Sequence, residues 1–427
     1  MVFAYVLGIF LALVIVAGAP MVLGFGSAAL LPLLMGVDTY DLISITNWTI
    51  AGNKNIYLAI AFFIVAGNLM SEGKIAQRIY EFFAYFLGDK KSFLPICTLL
   101  TAAFYGMVSG SAIAVTAAIG TMCLPILTRI GYDKVYYTAV LASAGCLGMI
   151  IPPTSVALST GGLTGANITD TYKLCMVIGL TLAASLIVCS LIHCRKEKNL
   201  DMDLILAEHS ERKANGLWST FTDSIWAMLS PIIILGSIFS GIFTANEAAA
   251  ISVLYSALIA VYIYKTLTWK QVWEVILKSV KTIAPLCMVL AMANTFSFAL
   301  PETGINEWVA GLLDNTTFSE PSILFLVTII ITSLTGFFMN AGNIIIPIML
   351  PWAEQIGTNL EVWTTIMTAT GSIALLTPPF GYGLMIMAPM AGISIGRLFK
   401  KVFPFWLMMT AIITVFAITP GLMTWAL

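Results

Sequence analysis

Four stretches of this chain carry no charge yet place polar residues, glycine and proline near their centres. Residues 92–128, 135–169, 321–353 and 362–396 contain no Asp, Glu, Lys or Arg. The first holds Ser109-Gly110-Ser111 within "VSGSAIAVTAA"; the second holds Gly145, Gly148 and Pro152-Pro153, followed by Thr154. The third holds Thr335, Gly336, Asn340 and Asn343; the fourth holds Gly371, Thr377, Pro378-Pro379 and Phe380. Gly and Pro interrupt helices, and an interrupted helix leaves backbone carbonyls and amides without partners. Within a bilayer those groups must find partners in protein, water or a ligand. Na+ suits freed carbonyls, with hydroxyl and amide oxygens completing its shell, and freed helix N-termini suit an anion. The expected Na+ ligands are therefore Ser109, Gly110, Ser111, Gly145, Gly148, Pro152, Gly336, Asn340, Gly371, Thr377 and Pro378. The expected substrate-binding residues are Ser109, Thr154, Asn340, Asn343 and Phe380. Asn340 and Asn343 are costly in an apolar tract, which favours function for them. Close helix packing is the competing reading of Ser109-Gly110-Ser111 taken alone. Two such clusters, each paired with a Pro-Pro break, favour the site.

The elements that must position these residues are membrane helices. Of the 427 residues 59% are hydrophobic and 10% charged, and mean hydropathy is +0.96. A soluble domain is roughly 25% charged. Many apolar runs reach the ~20 residues that a spanning helix needs, and they lack the alternation of a β-barrel. The net charge of -1 excludes an electrostatic case for nucleic-acid binding. The seven cysteines show no metal-site spacing and read as small core residues. His193 and His209 lie in or beside a charged loop, away from the uncharged tracts, so an intramembrane enzyme lacks its acid dyad or Ser-His pair. No Lys or Arg precedes the apolar core of residues 2–18, so that stretch reads as a retained span.

The chain also repeats itself. "GCLGMIIPP" (145–153) and "GSIALLTPP" (371–379) lie 226 positions apart. The same shift carries Gly110 onto Gly336, Leu124-Pro125 onto Leu350-Pro351, Ile130-Gly131 onto Ile356-Gly357, Thr138 onto Thr364 and Leu158 onto Leu384. Spans are expected at 2–18, 20–36, 53–71, 135–169 (broken) and 173–193, then at 217–243, 244–264, 282–300, 359–390 (broken) and 402–424. An interfacial stretch at 38–52, a surface segment at 72–91 and an interfacial amphipathic helix at 267–282 complete the reading. Residues 92–128 are too long for one crossing and suit a re-entrant hairpin, as does 321–353. Each half then has five crossings and one hairpin, and an odd number of crossings inverts the second half.

The first repeat is expected over 1–195, with 1–91 and 170–195 as scaffold and 92–169 as the hairpin and broken helix of a transport domain. Residues 196–216 read as a solvated cytoplasmic linker. The second repeat covers 217–427, with 217–320 and 397–427 as scaffold and 321–396 as its transport-domain part. An N-terminus and C-terminus outside the cell put all but Lys54 and Lys173 of the 20 Lys and Arg residues inside, a strong positive-inside bias. Thr244 and Glu247 in "GIFTANEAAA" form a helix-capping pair.

Several landmarks combine here: "AIAFFIVAGNLMSEGKIAQRI" (59–79), "VSGSAIAVTAAIG" (108–120), "IIPP" (150–153), "SGIFTANEAAA" (240–250) and "LLTPPFG" (375–381). On them the chain resembles the large membrane subunit of tripartite ATP-independent periplasmic (TRAP) transporters over nearly its whole length. The resemblance implies an all-α polytopic protein of the bacterial inner membrane, built from two inverted repeats, and Na+-coupled uptake of an organic acid by an elevator mechanism. Dicarboxylates, sialic or other sugar acids, and sulfonates are the expected substrate classes. It further implies a separate small membrane subunit and a periplasmic substrate-binding protein as partners. Val115 and Asn340 stand where many members of the family carry an acid. A stand-alone divalent-anion/Na+ symporter shares the same architectural logic, and a passive channel is the alternative of another class.

Overall fold

The computed structural model of the chain describes residues 5, 8, 9, 13, 21–35, 54–87, 90–197, 200–214, 216–299, 303, 304, 307, 320–335, 341–378 and 381–427. Every regular element among them is helical. Six helices are long and apolar enough to cross a membrane, or up to eight if each of two bent pairs counts once. The structural account of the first expected span, of 38–52, and of Gly336, Asn340, Pro379 and Phe380 lies outside the described residues, as do the side chains of Thr335 and Asn343.

The first half runs α1 (Met21–Leu34), α2 (Lys54–Glu72), α3 (Ile75–Leu87), α4 (Phe93–Ser109), α5 (Ala112–Ile130), α6 (Lys134–Gly145), α7 (Leu147–Ile150), α8 (Ser155–Thr164) and α9 (Ile168–Cys194). The second follows with α10 (Met202–Ala214), α11 (Leu217–Phe239), α12 (Ala245–Leu258, with a π-helical turn at Ile259–Ile263), α13 (Trp269–Ala299), α14 (Pro321–Thr335), α15 (Ala341–Gln355), α16 (Leu360–Ala374), α17 (Tyr382–Ala391), α18 (Ile395–Ile418) and α19 (Gly421–Thr424).

Local chemistry sets these boundaries. Gly110 ends α4 in the left-handed region at φ 58°, where a side chain would be strained, and its N–H bonds Gly106 O. Ser111 is extended and caps α5 by accepting from Ala114 N. Gly131 (φ 96°) ends α5, and Asp133 caps α6 through the amides of Val135 and Tyr136. The Tyr132 hydroxyl donates to Lys91 O at 2.5 Å. The outer ends of α4 and α5 therefore meet, and the pair is a hairpin with its tip at Gly110-Ser111. Thr244 and Glu247 form the expected capping box at α12.

The shift of 226 also describes the helix ends. It carries Ser109, the end of α4, onto Thr335, the end of α14, and Lys134, the start of α6, onto Leu360, the start of α16. It carries the starts of α8 and α9 to within one residue of the starts of α17 and α18. The packing is reciprocal. α6 lies against α17 while its counterpart α16 lies against α8, and α18 packs on α6 as α9 packs on α16. Two hydroxyl pairs stitch α8 to α16, Thr160–Thr368 at 2.9 Å and Thr164–Thr364 at 2.7 Å, all buried.

Three expectations need correction. Residues 267–282 and 282–300 are one helix, α13, because no helix stop separates them and Pro285 is absorbed within it. The "surface segment" at 72–91 contains α3, bent 62° from α2 at Gly73-Lys74, with Ile75, Ile79 and Tyr80 buried. Residues 196–216 are not a solvated linker: α10 is docked, with Ile205 and His209 buried. Glu208 pairs with Arg129 at the end of α5, and Arg212 pairs with Glu81 of α3 at 3.1 Å and with Glu208 at 3.4 Å.

Candidate functional site

The first sequence cluster assembles at the hairpin tip. A Cβ added to Gly110 would lie 2.8 Å from Pro153 O, so the tip touches the Pro152-Pro153 break directly. Gly148 abuts Ser111 O and Val115, and Gly106 abuts the Gly148 backbone. Gly145 faces Thr116 so closely that a methyl group there would collide with its hydroxyl. These glycines let three helices approach at the break. The Gly106 carbonyl accepts from Gly110 N, and the carbonyls after it lie past the end of the helical ladder, oxygens of the kind a cation takes.

Thr154 is fully buried, and its hydroxyl caps α8 by accepting from Ala157 N at 3.0 Å. That use accounts for its position without a substrate contact. Val115 is also fully buried against Gly148. Among the described residues of the second cluster, the Thr377 hydroxyl bonds Ala374 O at 2.6 Å within its own turn, and Pro378 is exposed. Gly371 is different: no described atom lies within 4 Å of where its Cβ would be.

Gly371 opens onto a cavity of about 690 Å³. One wall carries Ser109, Gly110 and Ser111 of the hairpin tip, Ser155, Ser159 and Thr160 of α8, and Leu375 and Tyr382 beside the second break. The N-termini of α5 and α8 both begin on this wall. The cavity is also lined by α2, through Gly67, Asn68 and Ser71, and by α13, through Lys281, Thr282 and Pro285. Asn68 Nδ2 donates to Ser279 Oγ at 2.8 Å and ties α2 to α13. Gly67 fits under the tip, since a Cβ there would sit 2.5 Å from Ser109 O. The size suits a small organic molecule. Two helix N-termini and a ring of hydroxyls suit an anion.

Sequence reasoning missed the α2–α13 wall. The signal was there: Gly67-Asn68 places a small and a polar residue side by side within the otherwise apolar α2.

Comparison with known proteins fits this geometry. Residues 5–422 match the family model described as the tripartite ATP-independent periplasmic transporter, DctM component. The chain belongs to this family. It is 30% identical over 388 residues to the C4-dicarboxylate TRAP transporter large permease protein of Pseudomonas aeruginosa, covering 90% of this chain and 88% of that one. It is 27% identical over 417 residues to the isethionate TRAP transporter permease protein of Oleidesulfovibrio alaskensis, covering 97% of this chain and 64% of that one. To the sialic acid TRAP transporter permease protein of Haemophilus influenzae it is 24% identical, covering 89% of this chain and 63% of that one. The fold resembles that of the Neisseria gonorrhoeae MtrF structure, with a TM-score of 0.64 at 14% identity over 90% of this chain and 84% of that one. A TRAP large permease is a multi-pass inner-membrane protein of secondary organic-acid uptake, and its relatives are named as transporter subunits rather than enzymes.

Proposed function

We propose that this TRAP large permease couples Na+ entry to uptake of an organic acid anion, which occupies the 690 Å³ cavity beside the hairpin tip. The supporting observation is that one uncharged wall combines interrupted backbone, hydroxyls and two helix N-termini. Backbone oxygens at the tip suit Na+, and the N-termini suit the anion. The hairpin of α4 and α5, with α6 to α8 and their counterparts α14 to α17, forms the moving transport domain of an elevator. Helices α2 and α13 belong to the scaffold. The reciprocal packing of the two halves supports an inverted-repeat relation between them.

The cavity lies on one side of the tip. Following α2, α5 and α13 away from the tip on that side leads to Lys74, Arg129 and Lys278. If the positive-inside bias holds, the cavity opens to the cytoplasm, and the chain ends face the periplasm. A periplasmic substrate-binding protein delivers the anion, and a separate small membrane subunit completes the scaffold. The relatives named for C4-dicarboxylate, isethionate and sialic acid bound the substrate class.

Proteoliposomes holding this chain with its small subunit and binding protein test the reading. Labelled succinate, isethionate and N-acetylneuraminate are supplied with and without an inward Na+ gradient. At least one should accumulate only with the gradient, and Ser109→Leu or Asn340→Leu should abolish that accumulation with expression intact. Accumulation without added binding protein would point instead to a stand-alone anion symporter.

A further inference from the structure

The cavity walls differ in charge. Among the described residues that line it, Lys281 alone is ionisable at neutral pH. It stands on α13 in line with Pro285 and Val289, one helical turn apart each, so a single stripe of that helix faces the cavity and Lys281 ends it. Lys281 is exposed and pairs with no carboxylate among the described residues. The Asn68–Ser279 bond ties α13 to α2 two residues from Lys281. A lysine at the inner end of a membrane helix is commonly a positive-inside anchor. An anchor, however, has no reason to line a cavity that two helix N-termini also line.

We infer that Lys281 supplies, from the scaffold helix α13, the counter-charge for the carboxylate or sulfonate of the transported organic acid, in the cavity that the N-termini of α5 and α8 also line. This rests on the functional reading above and adds to it a substrate-binding residue. A lysine is a point charge with three donors on a flexible stem, so it suits either head group.

The test separates the charge from transport. Ala114→Cys and Ser155→Cys each put a thiol on the cavity wall, and either can serve if the other fails to fold. In membranes holding the full complex, the rates of modification by an anionic and a cationic methanethiosulfonate are compared, with the rate of the parent lacking the new cysteine subtracted. Lys281→Met should lower the anionic-to-cationic rate ratio about tenfold, and Lys281→Arg should leave it within about twofold. An unchanged ratio in Lys281→Met overturns the inference, because the charge then does not reach the cavity. In proteoliposomes, Lys281→Met should raise KM about tenfold for whichever of succinate, isethionate and N-acetylneuraminate is carried, and Lys281→Arg should restore it. An unchanged KM also overturns it. If the unaltered complex carries none of the three, the substrate reading fails, while the reagent ratio still decides whether Lys281 charges the cavity.

Discussion

Gly145 and Gly371 occupy the same place in the two repeats, 226 positions apart, yet their surroundings differ. Gly145 is wedged against Thr116, and Gly371 looks into the cavity. The same shift carries Thr116 onto Gly342 in the sequence. The first break is thus a packed joint, while Gly371 at the second lines the cavity. Identical glycines serve close approach in one half and open volume in the other.

Breaking the packed joint should have the largest effects. Val115→Asp places a carboxylate at a fully buried site against Gly148. An unpaired buried charge costs several kcal/mol, so little folded protein should be recovered by size-exclusion chromatography. If Val115→Asp instead folds and tightens Na+ dependence of uptake, the joint is an ion site. Next comes Gly145→Ala, where overpacking against Thr116 should cost about 1–3 kcal/mol and lower the apparent melting temperature in detergent. Adding Thr116→Ala should recover at least half of that loss, and lack of recovery would mean the collision is not what the glycine avoids.

Gly371→Ala should behave oppositely. Helix propensity favours alanine by about 1 kcal/mol and no described atom obstructs it, so melting should hold or rise while the cavity narrows. A melting loss equal to that of Gly145→Ala would erase the contrast between the halves. The smallest effect is expected at a partly exposed pair within one helix. Lys173→Ala removes the 2.9 Å contact with Asp170, and should cost no more than about 1 kcal/mol, read as a slight melting shift that shrinks in high salt.

Much of the fold was legible because its signals are local. Gly110, Gly131 and the Pro152-Pro153 break announce their turns through backbone sterics, and the capping residues Ser111, Asp133 and Thr244 stand beside the helices they begin. α13 was misread because amphipathicity suggested a separate surface helix, although nothing in residues 278–285 stops a helix before Pro285, which this one absorbs. The docking of α10 was hidden for a different reason. Its charges look solvated in one dimension, and their partners Arg129 and Glu81 lie far away in the chain.

The sequence by itself determined the membrane class, the repeat, the breaks and the hairpin tip, since hydropathy, Gly-Pro placement and periodicity are properties of neighbouring residues. Only the tertiary structure decided which break packs and which opens, that Thr154 caps a helix, that Val115 fills a glycine notch, and that Lys281 shares a cavity with Ser109. Those outcomes depend on the distance between surfaces of helices separated by tens to hundreds of residues. A close approach permitted by missing side chains at Gly67, Gly145 and Gly148 sets that distance, and no local pattern records which surface each glycine meets.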